Sequence, residues 1–205
     1  MLERVPSRFR GDFMSSNRIF QIILIVSFLG FSWLAMQAVH ELGHVLGAIA
    51  GGGTLCKVGL YPTVISRTDV FPNPHPLLEV WAGPLVGSIL PLLVFLLAAA
   101  LKAPALYLYR FGAGFCLVAN GSYIGGGSFR ELGDARDLLL FGAAQWQLIL
   151  FGLLTAPLGL YLWNGLGSTF GLGAAKGRVN RTATLTSLGL LVATVAIELA
   201  AGLTP

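Results

Sequence analysis

Apolar residues run almost unbroken from 19 to about 50, roughly 32 positions, whereas a membrane-spanning helix needs about 20. This run predicts either one long tilted helix or a span with a short helical extension. Gly51, Gly52 and Gly53 close it, since glycine ends helices at little cost. Four more apolar stretches predict spans at about 77–101, 104–124, 135–163 and 183–203, with Pro157 as a kink in the fourth.

Residues 54–76 interrupt the pattern with Lys57, Arg67, Asp69 and the prolines Pro62, Pro72, Pro74 and Pro76. Alternation over 57–61 and 63–66 is mildly strand-like, which predicts a short β-hairpin or re-entrant loop near the membrane surface. A glycine-rich polar break at 125–134 and a basic connection with Lys176, Arg178 and Arg181 separate the later stretches. The fold class expected is all-α, a polytopic transmembrane helix bundle of about five spans. Residues 1–18, with Arg4, Arg8 and Arg10, read as a mobile polar tail, and 19–205 as a single transmembrane domain. No small-residue cleavage site interrupts the first apolar run, so no cleavable signal peptide is expected.

Composition supports a bilayer as the solvent. Hydrophobic residues make up 55 % of the chain and charged residues 11 %, against about 25 % charged in a soluble domain. The net charge of +4 is small and its basic residues are dispersed, which argues against a nucleic-acid partner. The basic residues serve better as topology signals. One face of a five-span bundle would hold eight of them (Arg4, Arg8, Arg10, Arg18, Lys102, Lys176, Arg178, Arg181) and the other four (Lys57, Arg67, Arg130, Arg136). That bias places the N-terminus in the cytoplasm. Cys56 and Cys116 form no metal or disulfide pattern.

The chemistry concentrates in His40-Glu41-Leu42-Gly43-His44. On a helix, residues four apart lie about 40° apart around the axis and one turn along it, so both imidazoles can reach one cation. Glu41 sits about 100° further round, within reach of water at that cation. This is the H-E-x-x-H arrangement of two zinc ligands and a general base. Ionisable groups in an apolar helix are costly and call for a partner or a function. A catalytic zinc takes three protein ligands, so a third must come from elsewhere. Asp134 is favoured because it follows a glycine and emerges on the same face. It competes with a reading as a helix N-cap. Asp137, one turn on, is the fallback, and His75, Glu79, Glu131 and Glu198 complete the candidates.

A second segment, Ala82-Gly83-Pro84, breaks a span and permits close backbone packing. Together these features resemble the site-2 protease family of intramembrane zinc metalloproteases, especially its small bacterial members. The matches are His40-Glu41-Leu42-Gly43-His44, the glycines at 51–53, Ala82-Gly83-Pro84, and Asn120 with Gly133-Asp134, in order over about residues 36–140. The resemblance implies one zinc ion per chain held by His40, His44 and Asp134, with Glu41 as the base. It implies that Asn120 holds substrate backbone or a transition-state oxygen. It also implies a membrane-embedded protein substrate cut within or near the bilayer of a bacterial cell membrane. The family's later motif reads Leu-Asp-Gly where this chain has Gly133-Asp134-Ala135, which keeps Asp137 in view. The family opens its site toward the cytoplasm, whereas the charge count places this one on the other face.

Two other functions compete. A non-proteolytic membrane protein with a structural or regulatory metal site would not need Glu41. A transporter-like bundle would show broken helices in two repeated halves, and the chain has no such symmetry.

Overall fold

The computed structural model describes residues 7–201, with side chains from Ser16 onward. Six α-helices and one hairpin follow in order: α1 (Ser7–Ala50), β1 (Leu55–Gly59), β2 (Arg67–Val70), α2 (Pro76–Ala100), α3 (Leu106–Gly127), α4 (Gly133–Leu140), α5 (Gln145–Trp163) and α6 (Arg181–Ala201). Two short 3-10 turns, Gly167–Phe170 and Gly173–Ala175, lie between α5 and α6. The chain is thus an all-α bundle with one two-stranded sheet.

The first apolar run is one continuous helix rather than two pieces, and its backbone is already helical from Ser7. The tail expected at 1–18 is therefore helical in its latter part, and residues 1–6 lie outside the described residues. Gly52, at φ +72°, stops α1, and the amides of Gly51 and Gly53 return to Gly47 and Ala48. Four helices are long and apolar enough to cross a membrane: α1 over Ser16–Ala50, α2, α5 and α6. The third of the five expected spans, α3, has the length at 22 residues but not the apolarity. Arg110, Asn120, Ser122 and its glycines dilute it, because this helix packs against α2 and α5 and touches α1. Small residues set the α3–α5 approach. A Cβ on Gly152 would stand 2.9 Å from Gly125 Cα, and one on Gly159 would stand 2.6 Å from the Gly114 carbonyl.

The fourth expected span, 135–163, is corrected to two helices. The chain breaks after Leu140, where Gly142 takes φ +100°. One unbroken helix would draw Arg136 and Asp137 into hydrocarbon at several kcal/mol, order of magnitude, for each charge. The break leaves them on the short α4 and starts the apolar α5 at Gln145. The hairpin forms, but its second strand is 67–70, not 63–66. Pro62 sits in a turn closed by the Val64 amide on Tyr61, and pairing resumes with Gly59 opposite Arg67.

Alternating helix directions sort the charges. The end formed by the start of α1, the close of α2 and the start of α6 holds Arg18, Lys102, Lys176, Arg178 and Arg181. The carboxylates Glu41, Asp69, Glu79, Glu131, Asp134 and Asp137 all sit toward the other end, with the hairpin and α4.

Candidate metal site

His40, Glu41 and His44 project from the last three turns of α1 and are 7, 4 and 5 % exposed. They are buried because α2 comes unusually close. A Cβ on Gly47 would meet Ala82 Cβ at 2.6 Å and Glu79 Cα at 2.8 Å. One on Gly43 would meet Gly83 Cα at 2.7 Å. In return Gly83 makes room for His44: a Cβ there would lie 2.5 Å from His44 Cε1 and nearer still to Nε2. The Ala82-Gly83-Pro84 segment therefore has a physical reason, since only hydrogen at Gly83 clears the imidazole. Gly83→Ala is expected to leave a folded helical protein whose uptake of added zinc falls several-fold, because overpacking costs about 1–3 kcal/mol and the atom displaced is His44 Nε2, a candidate ligand. Full zinc content by elemental analysis would contradict it.

Three atoms converge. His40 Nε2 lies 2.7 Å from Asp134 Oδ2, His44 Nε2 lies 3.0 Å from His40 Nε2, and His44 Nε2 lies 3.3 Å from the same carboxylate oxygen. Each imidazole is fixed from behind. His40 Nδ1 donates to Asn120 Oδ1 at 2.6 Å, and the Asn120 amide nitrogen donates to the Cys116 carbonyl at 2.9 Å. His44 Nδ1 faces Glu79 Oε1 at 3.0 Å and the Glu79 carbonyl at 3.1 Å, both acceptors. With Nδ1 protonated on both rings, both Nε2 atoms present lone pairs. Two imidazole lone pairs and a carboxylate oxygen then point at one another. A proton can bridge one of these pairs, but only a cation satisfies all three. Ligands on one zinc at 2.0–2.1 Å stand about 3.3 Å apart in a tetrahedron; the donor set fits such an ion in type, and its separations of 2.7, 3.0 and 3.3 Å would reach that spacing by a widening of at most about 0.6 Å. Among the described residues, His40, His44 and Asp134 form the group able to hold a metal.

Asp134 sits in the first turn of α4, whose N-cap is Leu132, so it does not act as the cap. Its amide donates to the Tyr123 hydroxyl at 3.0 Å, tying α4 to α3. Burial works to raise its carboxyl pKa; where protons rather than an ion occupy the Nε2 positions, the hydrogen bonds that His40 and His44 then donate outweigh burial and hold the carboxyl well below the usual carboxylate range. Asp137 lines the same cavity outside the group of three, and burial together with the neighbouring Asp134 charge raises its pKa. His75 and Glu131 are exposed, and Glu198 is buried in α6 away from the group. Glu79, a candidate ligand by sequence, stands behind His44 instead. Asn120 stands behind His40, with both ends of its amide engaged.

The hairpin supplies residues that no pattern singled out. Ser66 Oγ donates to Glu41 Oε1 at 2.7 Å and Thr68 Oγ1 donates to Glu41 Oε2 at 2.6 Å. The Ser66 amide donates to Gln37 Oε1 at 2.9 Å, docking the strand onto α1 one turn before Glu41. Hairpin, α1, α3 and α4 together enclose a cavity of about 660 Å3 with the three ligand atoms and Glu41 in its wall, within the usual size of ligand sites. No family model, curated protein or solved structure matches this chain.

Proposed function

We propose that the protein is an intramembrane zinc metallopeptidase of the site-2 protease type, which hydrolyses peptide bonds of membrane-embedded protein substrates. The observation that carries this reading is the convergence of His40, His44 and Asp134 beside Glu41 on a cavity of substrate size. A purely structural metal site has no use for a carboxylate base at its side. When bound, zinc supplies a Lewis acid that lowers the pKa of water and polarises a carbonyl. Glu41 accepts the proton from the attacking water and delivers it to the leaving amine. Asn120 and Glu79 hold the imidazoles in one tautomer and orientation, which is where such supports raise metal affinity. Ser66 and Thr68 hold both oxygens of Glu41 so that the base meets water in one geometry. The resemblance over residues 36–140 adds the substrate class, a multi-pass placement and a bacterial cell membrane.

The test is a panel of membrane-helix reporters co-reconstituted with the purified protein. Cleavage is expected with zinc, lost on chelation and restored by zinc alone. Cleavage that persists in fully chelated protein would end the metallopeptidase reading.

The hairpin contact carries its own expectation. In the double variant Ser66→Ala, Thr68→Val, kcat falls about tenfold from lost orientation of the base, while KM and zinc content stay at parental values. A fall in zinc content instead would assign these hydroxyls to the fold alone.

A further inference from the structure

A second cavity, of about 310 Å3, opens near the basic end of the bundle. Its walls include Phe28 of α1, Phe111 of α3, Trp163 at the end of α5, and Phe170 of the first 3-10 turn. The rings form one cluster: Phe111 stacks on Trp163 at 5.2 Å and meets Phe28 and Phe170 at 5.6 and 5.3 Å. Trp163 is fixed further by its Nε1–H donating to the Phe111 carbonyl at 3.0 Å. Leu29 and Leu172 line the cavity yet are 42 and 51 % exposed, so it opens onto the apolar outer surface. Phe28 precedes His40 by twelve residues, about 18 Å along the helix, which separates this cavity from the metal site.

Charge defines the rest of the occupant. Arg110, next to Phe111, donates through Nη2 to the Asn164 carbonyl at 2.8 Å, beside Trp163. Arg18 donates to Gln21 Oε1 at 3.0 Å, and Gln21 Nε2 donates to the Phe170 carbonyl at 3.0 Å. Both guanidiniums therefore flank the aromatic walls. Lys102, Lys176, Arg178 and Arg181 occupy the same end, and among the described side chains no carboxylate pairs with any of the six. An apolar slot entered from the hydrocarbon side, with two guanidiniums beside its walls that pair with no described carboxylate, matches one molecule with an acyl chain and a phosphate. Arginine binds phosphate through paired N–H groups, and a basic end faces the anionic cytoplasmic leaflet. We propose that this cavity is a binding site for an anionic phospholipid, one acyl chain lying against Phe28, Phe111 and Trp163 and the phosphate held by Arg18 and Arg110. The proposal stands independently of the peptidase reading.

Native mass spectrometry of the unaltered protein, extracted from vesicles of equal phosphatidylglycerol and phosphatidylcholine, tests it. One phosphatidylglycerol is expected to be retained with about a thirtyfold preference, from two arginines near the surface. Equal retention of the two lipids would overturn the proposal. In a second arm, the cavity is read through Trp163 alone in a Trp33→Phe, Trp81→Phe, Trp146→Phe background. Phosphatidylglycerol brominated on its acyl chains should quench it more than brominated phosphatidylcholine at equal mole fraction. Arg18→Gln with Arg110→Gln should make the two quench alike. A preference kept in that variant would overturn the arginine assignment, and displacement of the brominated lipid by inorganic phosphate would show a phosphate site without a chain.

Discussion

Glu41→Gln is expected to keep its zinc and lose peptide cleavage. The substitution preserves volume and leaves His40, His44 and Asp134 untouched. Ser66 and Thr68 still find partners, because the amide oxygen accepts from one hydroxyl and the other hydroxyl rotates to accept from the amide nitrogen. What disappears is the proton acceptor. A general base contributes about 10²–10⁴-fold, so cleavage of a helix reporter should drop below about one hundredth of the parental rate. Zinc stoichiometry and kcat are measured on the same preparation. Parental cleavage by the zinc-loaded variant would remove Glu41 from the chemistry and the peptidase reading with it. Glu41→Asp provides the complementary measurement: it keeps a carboxylate but retracts it from both hydroxyls, so a partial rate is expected with full zinc.

How much of this was legible in the chain depends on how local the cause is. α1 was legible because hydrocarbon demands an unbroken apolar run, and His40, Glu41 and His44 because helical period alone brings them to one side. Asp134 emerged only as the best of several acids, since nothing in sequence shows that Tyr123 anchors the start of α4. The break between α4 and α5 was hidden: apolar residues continue from Leu138 through Phe141 and resume at Trp146, and only the backbone of Gly142 marks the turn. α3 was legible by its length, although Arg110, Asn120 and its glycines leave it less apolar than the four other long helices. Glu79 was visible as an acid but not in its place behind His44, which follows from the close approach of α1 and α2 at Gly43, Gly47 and Gly83. Ser66 and Thr68 were illegible for a different reason. They lie 25 and 27 residues from Glu41 on a two-stranded hairpin whose register, not composition, aims them.

Asp134→Ala is expected to abolish zinc binding and cleavage together, whereas Asp137→Ala keeps both. The geometry sets a ladder of effects. Loss of Asp134 removes one of three converging ligand atoms, so zinc affinity should fall by more than about 100-fold, beyond the 10–100-fold typical when a group supporting a ligand is lost. Glu79→Gln, which weakens only the support of His44 Nδ1, belongs in that intermediate range. Asp137 takes no part in the ligand group, and its removal relieves the like charge facing Asp134. Competition with a chelator of known affinity orders the three variants. Full zinc in Asp134→Ala, or its loss in Asp137→Ala, would move the third ligand to Asp137. The fold should survive in every case. Without Asp134, a proton taken up between the His40 and His44 Nε2 atoms, 3.0 Å apart, satisfies both lone pairs, and the Glu79 carboxylate at 3.0 Å from His44 Nδ1 balances its charge. The helices around them remain packed through Gly43, Gly47 and Gly83, so the loss is of the ion and not of the bundle.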